Sequence, residues 1–157
     1  MAQVTFKIWR GEGDDACFEE FQTEVSEGMV VLDAIHDIQA NQAPDLAVRW
    51  NCKAGKCGSC SAEVNGMPKL MCMTRLSSLD LENPITVEPM QAFPHAKDLV
   101  SDVSYNYEAK MKIKPFKPRK PDADDGTWRI QQEDVERVQE FRKCIECFLC
   151  QDVCHVL

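Results

Sequence analysis

The chain has 157 residues, enough for one substantial hydrophobic core or two small ones. It carries 26 acidic and 18 basic side chains, and the resulting net charge of −8 argues against general affinity for nucleic acid. No apolar run approaches the ~20 residues that span a bilayer, and the N-terminus lacks the apolar segment of an export signal. We therefore expect a protein without a signal peptide or membrane span, in a reducing compartment where thiols stay free to bind metal.

The N-terminal third predicts a hairpin followed by a helix. Val4–Trp9 alternates apolar and polar residues like a half-buried strand, and Ala16–Val25 is its expected antiparallel partner. Cys17 lies in that partner without a spaced companion, so we interpret it as an ordinary core or surface residue. Val30–Gln39 has helical periodicity, and we expect His36 on a surface or flank of this helix. The predicted buried face consists of Val31, Ala34, Ile35 and Ile38.

Four cysteines in the middle of the chain have the spacing of an iron–sulfur site. They follow a C-x4-C-x2-C pattern, with eleven residues before the fourth: Cys52, Cys57, Cys60 and Cys72. The opening spacing is the plant-type pattern for a [2Fe–2S] cluster. A disulfide framework is disfavoured by the odd total of nine cysteines. A structural zinc site would require a second C-x2-C pair, which Cys72 does not have.

The residues between these cysteines favour a tight loop that a hairpin closes. Gly55 and Gly58 can adopt positive φ and let backbone N–H groups approach the sulfurs, while lysines on either side of Gly55 add positive charge that favours thiolate. Ser61–Val64 is a predicted strand, Asn65-Gly66 a turn, and Lys69–Cys72 the returning strand that brings back the fourth sulfur.

The rest of the chain predicts a closing strand, helices and a linker. Ile85–Glu88 is the closing strand, and residues spaced by four between Phe93 and Ile113 favour a helix. Lys110–Lys120 has six positive charges interrupted by prolines. We interpret it as a solvated linker rather than a membrane-surface or partner patch. Gln131–Lys143 is a predicted helix whose buried side is Val135, Val138, Phe141 and Ile145.

A second run of cysteines stands at the C-terminal end. Its C-x2-C-x2-C-x3-C spacing is that of bacterial ferredoxins, in which the fourth cysteine binds a different cluster from the first three. A zinc site is the alternative. Three ligands leave one corner of a cubane cluster open, so we expect further cysteines after Leu157 and interpret the chain as the N-terminal part of a longer subunit. The run consists of Cys144, Cys147, Cys150 and Cys154.

Together these elements predict an α+β fold. Residues 1–105 are expected to form a β-grasp [2Fe–2S] ferredoxin domain, in which one helix crosses a small mixed sheet. Residues 106–157 are expected to hold the linker and the start of an all-α bacterial-type ferredoxin domain. We find no nucleophile or acid/base constellation, so no catalytic residue is predicted.

The sequence resembles the iron–sulfur subunit of succinate dehydrogenase and fumarate reductase over essentially its whole length. Three stretches carry the resemblance: N-C-K-A-G-K-C-G-S-C at 51–60, L-M-C-M-T at 70–74 and C-I-E-C-F-L-C-Q-D-V-C at 144–154. The resemblance implies that the first four cysteines hold [2Fe–2S], that Cys144, Cys147 and Cys150 are three ligands of [4Fe–4S], and that Cys154 is one ligand of [3Fe–4S].

The resemblance also implies partners and a location. A flavoprotein subunit with FAD would carry the dicarboxylate site, and a membrane anchor, in some members with haem b, would help to form the quinone site. The chain would lie peripherally on the cytoplasmic face of the inner (plasma) membrane and pass electrons one at a time. Two positions differ among members: Cys60 stands where some have aspartate, and His155 replaces the usual proline near the quinone site. We therefore carry over no quinone contact.

Other electron carriers share part of this pattern. The iron–sulfur subunit of a related fumarate or heterodisulfide reductase with a different electron donor would have the same motifs. A plant-type ferredoxin carrier has no second cysteine run and a longer gap before the fourth cysteine. The small subunit of molybdenum hydroxylases continues with C-x2-C and C-x-C, which this chain lacks. The direction of flux, succinate oxidation or fumarate reduction, stays open.

Overall fold

A five-stranded mixed sheet organises the chain in the computed structural model, which describes residues 2–156. Its order is β2-β1-β5-β3-β4. β1 runs parallel to β5, and the other neighbours are antiparallel. The mixed α and β character expected from the sequence is confirmed. The strands are β1 (Ala2–Arg10), β2 (Cys17–Val25), β3 (Ser61–Val64), β4 (Met67–Leu70) and β5 (Ile85–Glu88).

Helix α1 (Val31–Asn41) packs against the sheet and completes the main core. The Asp33 side chain accepts a hydrogen bond from the Val30 N–H at 3.1 Å and so satisfies one backbone donor at the start of the helix. The four residues predicted on its buried face are all fully buried. They pack in one cluster with Phe6, Ile8, Ile85 and Val87 from the two central parallel strands.

The remaining elements are short. They are β6 (His95–Lys97), β7 (Val100–Ser101), α2 (Ser104–Met111), α3 (Gln132–Arg142), α4 (Leu149–Asp152) and two 3₁₀ turns, Gly13–Asp15 and Leu76–Ser78. The chain divides into two compact units. The first runs to Val103 and includes the segment from Glu146 onward, and the second is Ser104–Ile145. The domain boundary placed at residue 105 stays a prediction. Within residues 2–156, no helix combines the length and apolarity needed to cross a bilayer.

Three expectations from the sequence are wrong in detail. The helix expected between Phe93 and Ile113 forms only as α2, because the first half of that stretch is the β6–β7 hairpin, in which Leu99 is buried. The returning strand ends at Leu70, so Cys72 lies in the turn that follows it. Finally, α3 buries no residue within this chain, and its Phe141 is 80% exposed.

One buried carboxylate ties the start of the cysteine loop to the sheet. Asp98 is 1% exposed and accepts hydrogen bonds from the Arg10 guanidinium at 2.9 Å and from the N–H groups of Gly11 and Ala47, both at 2.7 Å. The Leu99 N–H donates to the Ala47 carbonyl at 3.2 Å. Because Ala47 lies just before the loop, these contacts fix where the loop leaves the core.

Replacing this carboxylate tests the anchor. We expect Asp98→Asn to lower the free energy of unfolding by about 3 kcal/mol, since it breaks a buried ion pair and leaves one backbone N–H without an acceptor. Asparagine tolerates the positive φ of 46° at this position, so the backbone preference is preserved. Anaerobic urea unfolding followed by tryptophan fluorescence would measure the change.

The matched control is Asp45→Asn. Asp45 binds the same guanidinium at 2.8 Å, but its side chain is 68% exposed. The same chemical change there should cost less than about 1 kcal/mol. Equal losses for the two variants would contradict the anchoring role of Asp98.

Candidate iron–sulfur site

The loop that carries the first cysteines is shaped so that backbone N–H groups face sulfur. Lys53, Gly55 and Gly58 have φ values of 51°, 62° and 71°. The N–H groups of Ala54 and Lys56 donate to Cys52 Sγ at 3.4 and 3.3 Å. Such donors stabilise negative charge on sulfur, which is the form that binds iron.

Hydrogen bonds make the Cys57 thiol more acidic than an ordinary cysteine. Hydrogen bonds from the Ser59 side chain and from the backbone at Cys52 and Ser59 lower the pKa of Cys57 to about 6. The thiols of Cys52 and Cys57 also share a hydrogen bond. The structure therefore brings these two sulfurs together and already favours the thiolate at one of them.

Cys60 and Cys72 form a second, buried pair. They are 3% and 6% exposed, and their side chains are hydrogen-bonded to each other. The hairpin of β3 and β4 brings them together, and the Met71 N–H donates to the Cys60 carbonyl at 3.1 Å. Burial, together with the nearby thiols, raises the pKa of Cys60. Bound iron would displace the proton from this site and compensate the charge.

The four thiols fit the demand of a two-iron cluster. Each iron of a [2Fe–2S] cluster takes two thiolates, and the loop supplies two pairs, one at its surface and one at its base. Among residues 2–156, no three His, Cys, Asp or Glu side chains converge closely enough to hold a single metal ion.

Aromatic and cationic side chains cover one side of the loop. Trp50 lies edge-on against His36, with ring centroids 4.8 Å apart, and Lys53 Nζ lies 5.0 Å from the centre of the Trp50 ring. Burial and the neighbouring Lys53 lower the pKa of His36. His36, expected to be an ordinary flank residue, is therefore part of the surroundings of the loop, and its spacing in the sequence carried no signal of this.

The C-terminal segment of the first unit reaches the same loop. The backbone of Cys147 lies against Gly58, and its carbonyl accepts a hydrogen bond from the Ser61 hydroxyl at 2.9 Å. Cys150 lies in α4, and Cys154 follows that helix. Cys144 belongs to the second compact unit. The contact between Ser61 and Cys147 has no local sequence signal, because the two residues are 86 positions apart in the chain.

This fold and donor set define an iron–sulfur protein. The chain belongs to the family of the 2Fe-2S iron-sulfur cluster binding domain, whose model matches residues 5–108. The resemblance to succinate dehydrogenase and fumarate reductase subunits is confirmed by individual relatives. The chain is 36% identical over 142 residues to the fumarate reductase iron-sulfur subunit of Mycobacterium tuberculosis, covering 88% of this chain and 57% of that protein.

Two further comparisons agree. The succinate dehydrogenase iron-sulfur subunit of Paracoccus denitrificans is 26% identical over 153 residues, covering 95% of this chain and 58% of that protein. A chain of the Mycobacterium smegmatis Sdh1 complex, solved in the apo form, is 58% identical with a TM-score of 0.90, covering 98% of this chain and 64% of that one. The chain thus spans less than two thirds of the length of each relative.

The acidity of Cys57 leads to a test on iron-free protein. We expect iodoacetamide to alkylate Cys57 faster than Cys60 at pH 7, because a group with a pKa of about 6 is mostly thiolate there. As the pH falls from 7 to 5, the rate at Cys57 should drop as the sulfur becomes protonated. Peptide mass spectrometry at each pH would measure both rates.

Ser59 supplies the matched variants. Ser59→Ala removes the hydroxyl donor and should move the pH profile of Cys57 upward, whereas Ser59→Thr keeps the donor and should leave the profile near its original position. An unchanged profile in Ser59→Ala would show that this hydroxyl does not stabilise the Cys57 thiolate.

Proposed function

We propose that this chain forms the iron–sulfur relay of an electron-transfer subunit of the succinate dehydrogenase and fumarate reductase class. It passes electrons one at a time between a flavoprotein dicarboxylate site and membrane quinone. The observation that carries the proposal is the contact of two cysteine motifs at Gly58, because a relay requires carriers held next to each other. A mobile carrier with a single cluster would not require a second cysteine motif.

The cysteines divide among three clusters in this proposal. Cys52, Cys57, Cys60 and Cys72 hold [2Fe–2S]. Cys144, Cys147 and Cys150 supply three ligands of [4Fe–4S], and Cys154 supplies one ligand of [3Fe–4S], with the remaining ligands outside this sequence. The sheet and α1 correspond to a β-grasp ferredoxin domain, and the C-terminal segment to the start of a helical ferredoxin domain.

When bound, the clusters supply one-electron carriers whose potentials depend on hydrogen bonds and burial. The chain's own residues provide both. Amide donors at Ala54 and Lys56 stabilise charge on the Cys52 sulfur, while the burial of Cys60 and Cys72 keeps water from the inner side of the site. The substrate chemistry would take place on a partner subunit.

The proposed partners are a flavoprotein with FAD and a membrane anchor that helps to form the quinone site, with haem b in some assemblies. Apolar side chains of the second compact unit support such an assembly, since Phe116 and Phe141 are 87% and 80% exposed in the chain by itself. A peripheral position on the cytoplasmic face of the membrane follows from the same assignment.

The ligand assignment is tested by Cys57→Ser in the assembled complex. We expect the reduced [2Fe–2S] EPR signal to change in amplitude or g-values, because an alkoxide replaces one thiolate, while FAD stays bound to the flavoprotein. EPR spectroscopy together with a flavin assay would measure both.

Cys17→Ser is the matched control. Cys17 is an exposed cysteine at the start of β2, away from the loop in sequence, and its replacement should leave the EPR signal unchanged. If Cys57→Ser gave the same spectrum as Cys17→Ser, Cys57 would not be a ligand.

A further inference from the structure

The loop of the first motif and the backbone of the second motif approach closely at one glycine. A Cβ atom placed on Gly58 would lie 2.6 Å from Cys147 Cα and 2.9 Å from its N and Cβ atoms. These are backbone and backbone-proximal atoms, which cannot rotate away. Any side chain at position 58 would therefore push the two segments apart.

A buried serine joins the same two segments. Ser61 is 8% exposed, and its hydroxyl lies 2.9 Å from the Cys147 carbonyl and 2.8 Å from the Gly58 carbonyl. The two carbonyls belong to the two segments that meet, and the single hydroxyl hydrogen of Ser61 is shared between them.

Two further contacts hold the C-terminal segment from its other side. The Ala92 N–H donates to Asp152 Oδ1 at 2.9 Å, and the rings of Phe93 and Phe148 have centroids 6.1 Å apart. The segment is thus held both by the turn after β5 and by the cysteine loop. Among these four contacts, the ones at Gly58 and Ser61 lie directly beside a cysteine of each motif.

We propose that Gly58 and Ser61 are positioning residues that set the separation of the two cysteine motifs. This inference rests on the proposed relay function. With clusters bound at both motifs, one electron would be lost by the cluster at the first motif and gained by the cluster at the second, with no bond broken and no proton transferred. The rate of such a transfer falls steeply with distance, so a glycine and a hydroxyl that keep the motifs in contact control it.

The glycine is tested by Gly58→Ala against Gly66→Ala in the assembled complex. Both glycines have nearly the same positive φ, 71° and 69°, so alanine is strained similarly at each. A Cβ atom at Gly66 meets nothing within 4 Å, whereas at Gly58 it meets Cys147. Any difference between the variants therefore reports the collision rather than the backbone strain.

The hydroxyl is tested by Ser61→Ala against Ser78→Ala. Ser78 Oγ donates to the Arg75 carbonyl at 2.7 Å, which is the same three-residue local bond that Ser61 makes to Gly58. Only Ser61 adds the long-range bond to Cys147. Ser61→Thr retains a hydroxyl and should rescue the effect.

Two readouts are needed besides activity. The first is hydrogen exchange of the backbone amides in residues 146–156, which we expect to be about fivefold faster in Ser61→Ala, the factor for one lost hydrogen bond, and faster still in Gly58→Ala. The second is the enhancement of [2Fe–2S] spin relaxation by the neighbouring paramagnetic cluster, which we expect to weaken in both variants. The two control variants should match the unaltered protein in both readouts.

The outcomes separate this inference from the proposed function. If the unaltered protein lacked iron–sulfur EPR signals, the relay function would be wrong, while hydrogen exchange would still decide whether Gly58 and Ser61 hold the segment. If clusters were present and each variant behaved like its control, the positioning role would be wrong and the relay function would stand. Should Gly58→Ala fail to assemble, Ser61→Ala decides.

Discussion

Negative charge on closely spaced sulfurs is the constraint on which this structure depends. Thiolates repel one another and are destabilised by burial, yet a cluster requires four of them in a small volume. The chain meets this constraint with hydrogen-bond donors close to the sulfurs rather than with a large shell of polar side chains. Backbone N–H groups face Cys52, a hydroxyl lowers the pKa of Cys57, and burial raises the pKa of Cys60 at the base of the loop, where bound iron would replace the proton.

The sheet supports both ends of the cysteine loop. Before the loop, Asp98 fixes Ala47 to the end of β1 through buried hydrogen bonds. After it, β3 and β4 lead away and back so that Cys60 and Cys72 meet. The parallel pairing of β1 with β5 then closes the sheet over the core. The loop itself contains no regular element, and its conformation therefore depends on these rigid supports.

The regular elements were largely predictable, because their periodicity is local. The bounds of β3 and β5 and the buried face of α1 agree with the sequence pattern. The hairpin of β6 and β7 was not predictable from the sequence. Its strands have three and two residues, which is too short for an alternation of apolar and polar residues to be recognised. Apolar residues in the same stretch happen to be spaced by four, which favoured a helix instead. Burial of α3 could not be predicted for a different reason. Its amphipathic periodicity indicates an apolar side, but not whether the surface that packs against this side belongs to the same chain.

Of the residues in the candidate site, only the cysteines could be predicted from the sequence. Spacing predicts which cysteines are candidate ligands, since the chemistry demands thiolates at fixed intervals. It does not identify the side chains that tune and position them. Ser59 acts two residues from its thiol, while Ser61 and Gly58 act through a segment far away in the chain. Glycine at 58 can be explained locally by its positive φ, so its second role as the contact point for Cys147 became visible only in the structure.

The proposed function requires that this chain bind iron as clusters through its cysteines. The most direct measurement is the content of iron, zinc and acid-labile sulfide per chain in protein purified without oxygen. We expect brown protein with iron and sulfide in about equal amounts, at least as much as one [2Fe–2S] cluster requires. Colourless protein without iron, or protein with zinc and no labile sulfide, would contradict it.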